Sequence, residues 1–342
     1  MYEPTGLPTK NIMEKITMKT LKIAVLDAGT LGDDLDLTPL TCGGVHELAV
    51  YSATSADEIA PRTAGVDVAI VNKLKMNADT LGDAPTLRLI CVAATGYDNI
   101  DLGYCREKGI GVANVVGYSS NSVSQLTVAM VLSLICRLPE YASFVSSGAY
   151  TASGTANRLT PVYHEIAGMT WGIVGYGNIG KRVSDAARAL GCRVVYTRAH
   201  DDGSPDCVSL DELCRVSDII SIHTPLTGAT RGMISRERVN LMKPNAIVVN
   251  VARGAVTDER ALADALLDGR IGALGCDVYS VEPFGEDHPF RALADHPCAC
   301  LTPHMAWGSY EARVRCLSEI VLNIESYLAG GTRSRVDLNQ GG

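Results

Sequence analysis

The sequence predicts an α/β protein made of two doubly wound parallel sheets. Short apolar runs alternate with helix-sized segments along most of the 342 residues, and the pattern occurs twice, on either side of one long helical stretch. Apolar runs this short and this continuous indicate strands buried on both faces, as parallel sheets require. The length suits about two domains of ordinary size, and a composition 46% hydrophobic and 20% charged supports a sizeable core.

The first series of predicted strands covers residues 23–26, 48–51, 66–71, 87–93 and 111–115. Residues 119–139 follow as one helix, with Val123, Leu126, Thr127, Met130, Val131 and Leu134 on a single face. A Gly/Ser/Thr-rich stretch, 146–160, leads to the second series: 170–175, 193–197, 218–223, 246–250, 273–278 and 299–302. Residues 309–329 read as an amphipathic helix with Val314, Leu317, Val321, Ile324 and Leu328 on its stripe. Because it follows the last strand of the second unit, it is expected to return to the first. The expected division is a discontinuous substrate-binding domain, 18–118 plus 309–332, and a dinucleotide-binding domain, 119–308, with the active site in the cleft between them. Residues 1–17 read as an extension ahead of the start-like Met18-Lys19-Thr20-Leu21-Lys22.

Several classes of function are disfavoured. The apolar run at 126–136 is too short to cross a bilayer, and no secretory leader pattern precedes the first strand, so a cytoplasmic protein without a membrane partner is expected. The eleven cysteines are unevenly scattered and read as reduced thiols. Cys298 and Cys300 lack the companions of a zinc knuckle, so no metal is expected. A net charge of -8 without a Lys/Arg cluster argues against nucleic acid and leaves a small molecule as the expected partner.

The clearest motif is Trp171-Gly172-Ile173-Val174-Gly175-Tyr176-Gly177-Asn178-Ile179-Gly180, an apolar strand running into a G-x-G-x-x-G turn and a helix. Gly175 suits the tight turn, Gly177 the approach of a pyrophosphate, and Gly180 close helix-to-strand packing; Asn178 and Ile179 belong to the turn, and the helix predicted over 181–190 receives the phosphate charge at its N-terminus. This is a Rossmann-like dinucleotide site for NAD(H) or NADP(H). The second strand of such a unit usually ends in a carboxylate that binds ribose, but here it ends Tyr196-Thr197-Arg198. Asp201 and Asp202 lie too far along the chain to be ready substitutes. Arg198 either accepts a 2′-phosphate, so that NADP is tolerated, or lies as a solvated residue against adenine.

Three further segments each follow a predicted strand: Asn250-Val251-Ala252-Arg253-Gly254, Asp277-Val278-Tyr279-Ser280-Val281-Glu282-Pro283, and Leu301-Thr302-Pro303-His304-Met305-Ala306-Trp307. Their order and spacing after the glycine turn resemble the D-isomer-specific 2-hydroxyacid dehydrogenases over nearly all of residues 22–328. Ala93-Ala94-Thr95-Gly96-Tyr97-Asp98-Asn99-Ile100-Asp101, Gly117-Tyr118-Ser119-Ser120-Asn121-Ser122-Val123 and the His304 segment look most like the glycerate dehydrogenase, or hydroxypyruvate reductase, branch. Residues 149–163 depart from that branch, which bears on the local entrance or the dimer contacts. The resemblance implies NAD(P)-linked interconversion of a small 2-keto acid and its D-2-hydroxy acid, and a homodimer joined through the cofactor domain and residues 138–168.

The chemistry accounts for the residue types. A 2-keto acid needs a fixed cation on its carboxylate and carbonyl, which the planar fork of Arg253 suits. The alkoxide formed by hydride addition needs a proton, and His304 is the apt donor. Glu282 would hold the other ring nitrogen and favour the charged imidazole. Singly, these three also read as a surface ion-pair residue, a helix-start acid and a satisfied histidine; their joint placement at strand ends supports catalysis.

The resemblance further implies that Asp277 binds the nicotinamide carboxamide, that Thr224, Pro225 and Ala252 border the cofactor, and that the amides of Ala94, Thr95 and Gly96 bind the substrate carboxylate. Lys73 reads as a residue facing the cleft or as an ordinary solvated lysine, and His223 as structural or cofactor-adjacent. Rival readings are a reductase of larger keto acids of the D-lactate or phenyllactate type, a non-catalytic NAD(H)-sensing protein, and a formate dehydrogenase, which Glu282 disfavours. Two domains flanking a cleft would close on the cofactor and exclude water.

Overall fold

The structure, a computed structural model, describes residues 20–42 and 46–338, so the expected extension at 1–17 lies outside the described residues. The chain divides into two compact units, one up to Val116 and again from Val314, the other Gly117–Arg313.

The first unit holds β1 (Lys22–Val25), β2 (Glu47–Val50), β3 (Val68–Val71), β4 (Leu89–Val92) and β5 (Gly111–Ala113), in the order β2-β1-β3-β4-β5 with every pair parallel. Every residue of β3 and β4 is buried, which explains their unbroken apolar sequences Val-Ala-Ile-Val and Leu-Ile-Cys-Val. β2 lies at the edge and is mostly exposed. The chain runs outward from β1 to β2 and then crosses to β3, so β1 and β3 flank a topological switch point, where ligands of such sheets bind.

The second unit repeats the plan with β6 (Thr170–Val174), β7 (Arg193–Thr197), β8 (Ile219–Ile222), β9 (Ile247–Asn250), β10 (Ala273–Cys276) and β11 (Ala299–Leu301). Their order is β11-β10-β9-β8-β6-β7, all parallel, with the switch point between β6 and β8. One face of this sheet packs Leu213, Ile220, Leu262, Leu266 and Phe290; the other packs Met130, Val131, Trp171, Ile173 and Val183. Each fully buried side chain of this size stabilises the fold by about 1.5–3 kcal/mol relative to exposure.

Three predicted elements differ from the structure. The single helix expected over 119–139 is two, Ser120–Ile135 and Leu138–Ser146, broken where Arg137 adopts φ 55°. Arg137 is held there by Glu140 at 2.5 Å and by Cys298 Sγ at 2.6 Å, and Pro139 then begins the next helix instead of ending the first. The Gly/Ser/Thr-rich stretch also contains a short helix, Ala149–Ser153. On the last helix, Tyr310–Leu328, the buried stripe is Ala312, Cys316, Leu317, Ile320, Asn323 and Ile324, while Val314 is exposed. The small Ala312 and Cys316 pack inward where the β-branched Val314 had suggested the inner face.

Candidate active site

The glycine turn at the carboxyl end of β6 is shaped by close backbone contact. Gly175 has φ 97°, and a Cβ there would lie 2.8 Å from the Thr224 amide nitrogen and 2.9 Å from the His223 carbonyl carbon, so the loop after β8 abuts it directly. A Cβ on Gly180 would meet the Gly175 carbonyl oxygen at 2.2 Å. Gly177 is different, since a Cβ there would meet nothing within 4 Å. Gly177 also caps the helix Asn178–Ala189 without any side-chain hydrogen bond, leaving the amides of its first turn uncapped by the protein. A helix N-terminus open at a glycine fits the pyrophosphate of a dinucleotide. His223 itself is driven to the neutral form by burial, its pKa pushed down to about 3; its Nε2 bonds Ser221 Oγ at 2.9 Å, and Trp171 Nε1 donates to the same hydroxyl.

At the end of β7, Tyr196 stacks on Tyr176 with centroids 3.7 Å apart. Asp202, distant in sequence from a ribose-binding position, folds back to accept hydrogen bonds from Tyr196 Oη and Arg198 Nη1, both at 2.9 Å. The Arg198 contact holds the Asp202 carboxyl below its usual range. Arg198 is therefore an ion-paired residue here, with its side chain still 40% exposed.

The Arg, Glu and His segments all belong to the second unit. Fully buried Asn250 braces the first: its Oδ1 accepts from the Ala252 amide and its Nδ2 donates to the Arg253 carbonyl, each at 3.0 Å. Arg253 Nη1 turns back to donate to the Ala252 carbonyl at 2.8 Å. The next residue, Gly254, touches the second segment so closely that a Cβ would fall 2.0 Å from the Tyr279 carbonyl carbon and 2.2 Å from the Ser280 nitrogen. In that segment Glu282 Oε1 accepts from the Tyr279 amide at 2.9 Å, and Oε2 meets His304 Nδ1 at 2.6 Å. The pair is partly buried, with side chains 22% exposed for His304 and 31% for Glu282. The His304 Nε2 makes no hydrogen bond among the described residues.

His304 sits at φ 53°, a region a non-glycine residue occupies only when its surroundings hold it there. Asp277 supplies the hold. Its Oδ1 accepts from Thr302 Oγ1 at 2.5 Å and the Met305 amide at 2.9 Å, its Oδ2 from the Ala306 amide at 2.9 Å, and Trp307 Nε1 donates to the His304 carbonyl. Burial raises the Asp277 pKa, and those same donors pull it back part of the way. The hydrogen bonds of the Asp277 carboxylate are thus with the His304 segment.

In the first unit, the expected substrate loops lie at the carboxyl ends of β3 and β4. Buried Asp27, just beyond β1, accepts from the amides of Asn72 at 2.9 Å and Lys73 at 2.7 Å, which fixes the backbone of exposed Lys73. The Ala94 carbonyl accepts from the Val115 amide, the Thr95 carbonyl from Asn114 Nδ2, and Thr95 Oγ1 donates to the Val115 carbonyl. No hydrogen bond among the described residues uses the amides of Ala94, Thr95 or Gly96.

Comparison with known proteins decides the family. The model of the D-isomer specific 2-hydroxyacid dehydrogenase NAD-binding domain matches residues 128–306. The chain belongs to this family. It is an oxidoreductase with a nicotinamide-cofactor domain of Rossmann type. Among family relatives, a glycerate dehydrogenase from Methylorubrum extorquens is 38% identical over 93% of this chain and 99% of its own length. A hydroxypyruvate reductase from Blautia hydrogenotrophica is 34% identical over 91% and 98%. The structure of a D-lactate dehydrogenase from Aquifex aeolicus, complexed with NAD and lactic acid, superposes with a TM-score of 0.75 at 28% identity, covering 90% of this chain and 96% of that one.

Three residues at the site carry no signature in the sequence that marks their role. Asn250 was legible only as the end of a strand, although an Asn before a turn is a known brace. Thr302 and Glu259 carry no motif of their own, and only the fold shows what they hold.

Proposed function

We propose that the protein reduces a small 2-keto acid, hydroxypyruvate or glyoxylate, to the D-2-hydroxy acid, with Arg253, Glu282 and His304 as its working groups. The observation that carries this reading is the 2.6 Å contact between Glu282 Oε2 and His304 Nδ1, on the unit that also bears the glycine turn. A family member retained only for nucleotide sensing would not need that couple.

The bound nicotinamide supplies the hydride; the chain's residues supply orientation and the proton. Arg253 holds the substrate carboxylate and polarises the carbonyl, assisted by Lys73 and the amides of Ala94, Thr95 and Gly96. With Nδ1 committed to Glu282, the charged ring of His304 presents Nε2–H to the carbonyl oxygen and delivers its proton as the alkoxide forms. The Glu282 carboxylate stabilises the charged imidazole before transfer and fixes the ring plane. In the oxidative direction, neutral Nε2 takes the hydroxyl proton. Gly177, Asn178, Ile179 and Gly180 would hold the cofactor's pyrophosphate, and Thr224, Pro225, Ala252 and Asp277 would border its nicotinamide half. Arg198 receives a 2′-phosphate in competition with Asp202, so both NADH and NADPH serve.

The protein works as a homodimer in the cytoplasm. Neither helix Leu138–Ser146 nor Ala149–Ser153 contains a buried residue, and Leu159 and Val162 beyond them are 74% and 67% exposed, an apolar surface suited to a second copy. All eleven cysteines are free, in keeping with a reducing compartment. Loss of reduced-nicotinamide absorbance, with NADH and NADPH each tested against hydroxypyruvate, glyoxylate, pyruvate and phenylpyruvate, tests the reading. Preference for hydroxypyruvate or glyoxylate supports it; preference for phenylpyruvate favours the larger-acid reductase, and no turnover favours the sensor.

A further inference from the structure

Beneath the turn that carries Glu282 lies a second carboxylate–imidazole pair, which has no place in the reaction described above. Glu259 opens the helix Glu259–Leu267, yet it is buried, and its side chain and that of His288 are each 8% exposed. Its Oε1 accepts from the Ser280 amide at 2.8 Å, and its Oε2 from Ser280 Oγ and from His288 Nε2, the latter at 3.1 Å. The histidine's role is fixed by its other nitrogen: Nδ1 accepts from the Phe290 amide at 3.2 Å, which places the neutral ring's proton on Nε2, facing Glu259. The ring is stacked on Phe284 and has Tyr279 and Phe290 at its edges.

A carboxylate this deep is costly in lost hydration unless donors replace the water, and an apolar side chain of the same size would avoid that cost. What an apolar side chain could not do is hold both donors of Ser280. The amides of Tyr279 and Ser280 are consecutive, and each donates to a different carboxylate, the first to Glu282 and the second to Glu259. The tilt of the 279–282 turn, and with it the direction in which Glu282 reaches His304, is set between them.

We propose that Glu259 and His288 are positioning residues for the Glu282–His304 couple, a buried clamp that acts through the amide and hydroxyl of Ser280. The inference rests on the catalytic reading of Glu282 and His304. Loss of the outer contacts that orient metal-ligating side chains costs about ten- to a hundredfold in activity, and a loss of the same order is expected where such contacts orient a catalytic carboxylate.

The test is a double-mutant cycle on kcat for hydroxypyruvate reduction in the intact protein, using Glu259→Gln, Ser280→Ala and Glu282→Gln, with cofactor Kd and keto-acid KM measured alongside. The expected result is a roughly ten- to hundredfold fall in kcat for Glu259→Gln, with Kd and KM within about twofold, and a smaller fall for Ser280→Ala. Neither change should lower kcat further once Glu282 is already Gln. A fall that multiplies in full with that of Glu282→Gln, or wild-type kcat in Glu259→Gln, overturns the clamp. Should Glu259→Gln fail to fold, the Ser280→Ala cycle carries the same two outcomes. Wild-type kcat in Glu282→Gln itself would instead overturn the catalytic reading, so the two failures are distinct.

Discussion

Replacing Gly254 with Ala should damage both the fold and the reaction, because the added methyl has nowhere to go. The Cβ would lie 2.0 Å from the Tyr279 carbonyl carbon, 2.2 Å from the Ser280 nitrogen and 2.5 Å from the Tyr279 Cα, all backbone atoms that cannot swing aside. Ordinary contact begins at 3.4 Å, so the two strand ends must part by about 1.4 Å, from 2.0 Å to 3.4 Å. Arg253 lies on one side of that gap and the Glu282 turn on the other. Overpacking of this kind costs about 1–3 kcal/mol. In a unit of this size that lowers the Tm by roughly 2–12 °C. A displacement of about 1 Å at a reacting group costs on the order of a hundredfold in rate, so kcat/KM for the keto acid should fall at least that far. Cofactor affinity should fall less than kcat/KM, since the glycine turn follows β6, away from the gap, and only Ala252 and Asp277 of the proposed nicotinamide contacts adjoin it. Calorimetry, steady-state kinetics and cofactor titration on the one variant read all three quantities. Unchanged Tm and kcat/KM in Gly254→Ala would refute the close packing on which the site geometry depends.

At the adenine end, Asp202→Ala should free Arg198 and strengthen NADPH binding by about two- to fivefold, the modest worth of an exposed pair, while Arg198→Ala should weaken it and leave NADH nearly unchanged; fluorescence titration with both cofactors decides this. In the first unit, burial opposes ionisation of Asp337, but bonds from Arg335 at 2.6 Å and 2.7 Å and from the Val112 amide at 2.8 Å outweigh it and hold the carboxyl below its usual range. A lowered carboxyl adds stability above its unfolded value and loses it as pH falls through the folded one. Asp337→Asn should therefore be less stable by about 1–3 kcal/mol at pH 7, with the gap closing below about pH 4; urea unfolding at both pH values would show a pH-independent gap if the reasoning fails. Light scattering should give the mass of two chains, and Leu159→Glu with Val162→Glu should give one; a wild-type monomer would remove the dimer proposal.

Much of the fold is legible because parallel strands buried on both faces leave a distinctive apolar signature, as β3 and β4 show. The glycine turn is equally legible, since Gly175 and Gly180 answer steric demands that a side chain could not meet, and Gly177 leaves open the approach to the helix N-terminus. What stays hidden depends on contacts between distant residues. The helix break at Arg137 is made by Glu140 and Cys298, and the apolar spacing runs through it without a mark. Asp202 reaches Arg198 only because the chain turns back after β7. Glu259, next to the capping Asp258, has the look of an ordinary acid in a helix's first turn. Its burial against Ser280 and His288 belongs to the three-dimensional structure alone.

The most direct test of the central claim compares hydroxypyruvate reduction by the wild-type protein and by His304→Asn, with cofactor affinity measured on both. Proton delivery by a positioned histidine contributes about 10²–10⁴-fold, so kcat in the variant should fall by that factor while the cofactor Kd stays nearly constant. Wild-type turnover in His304→Asn would contradict the account.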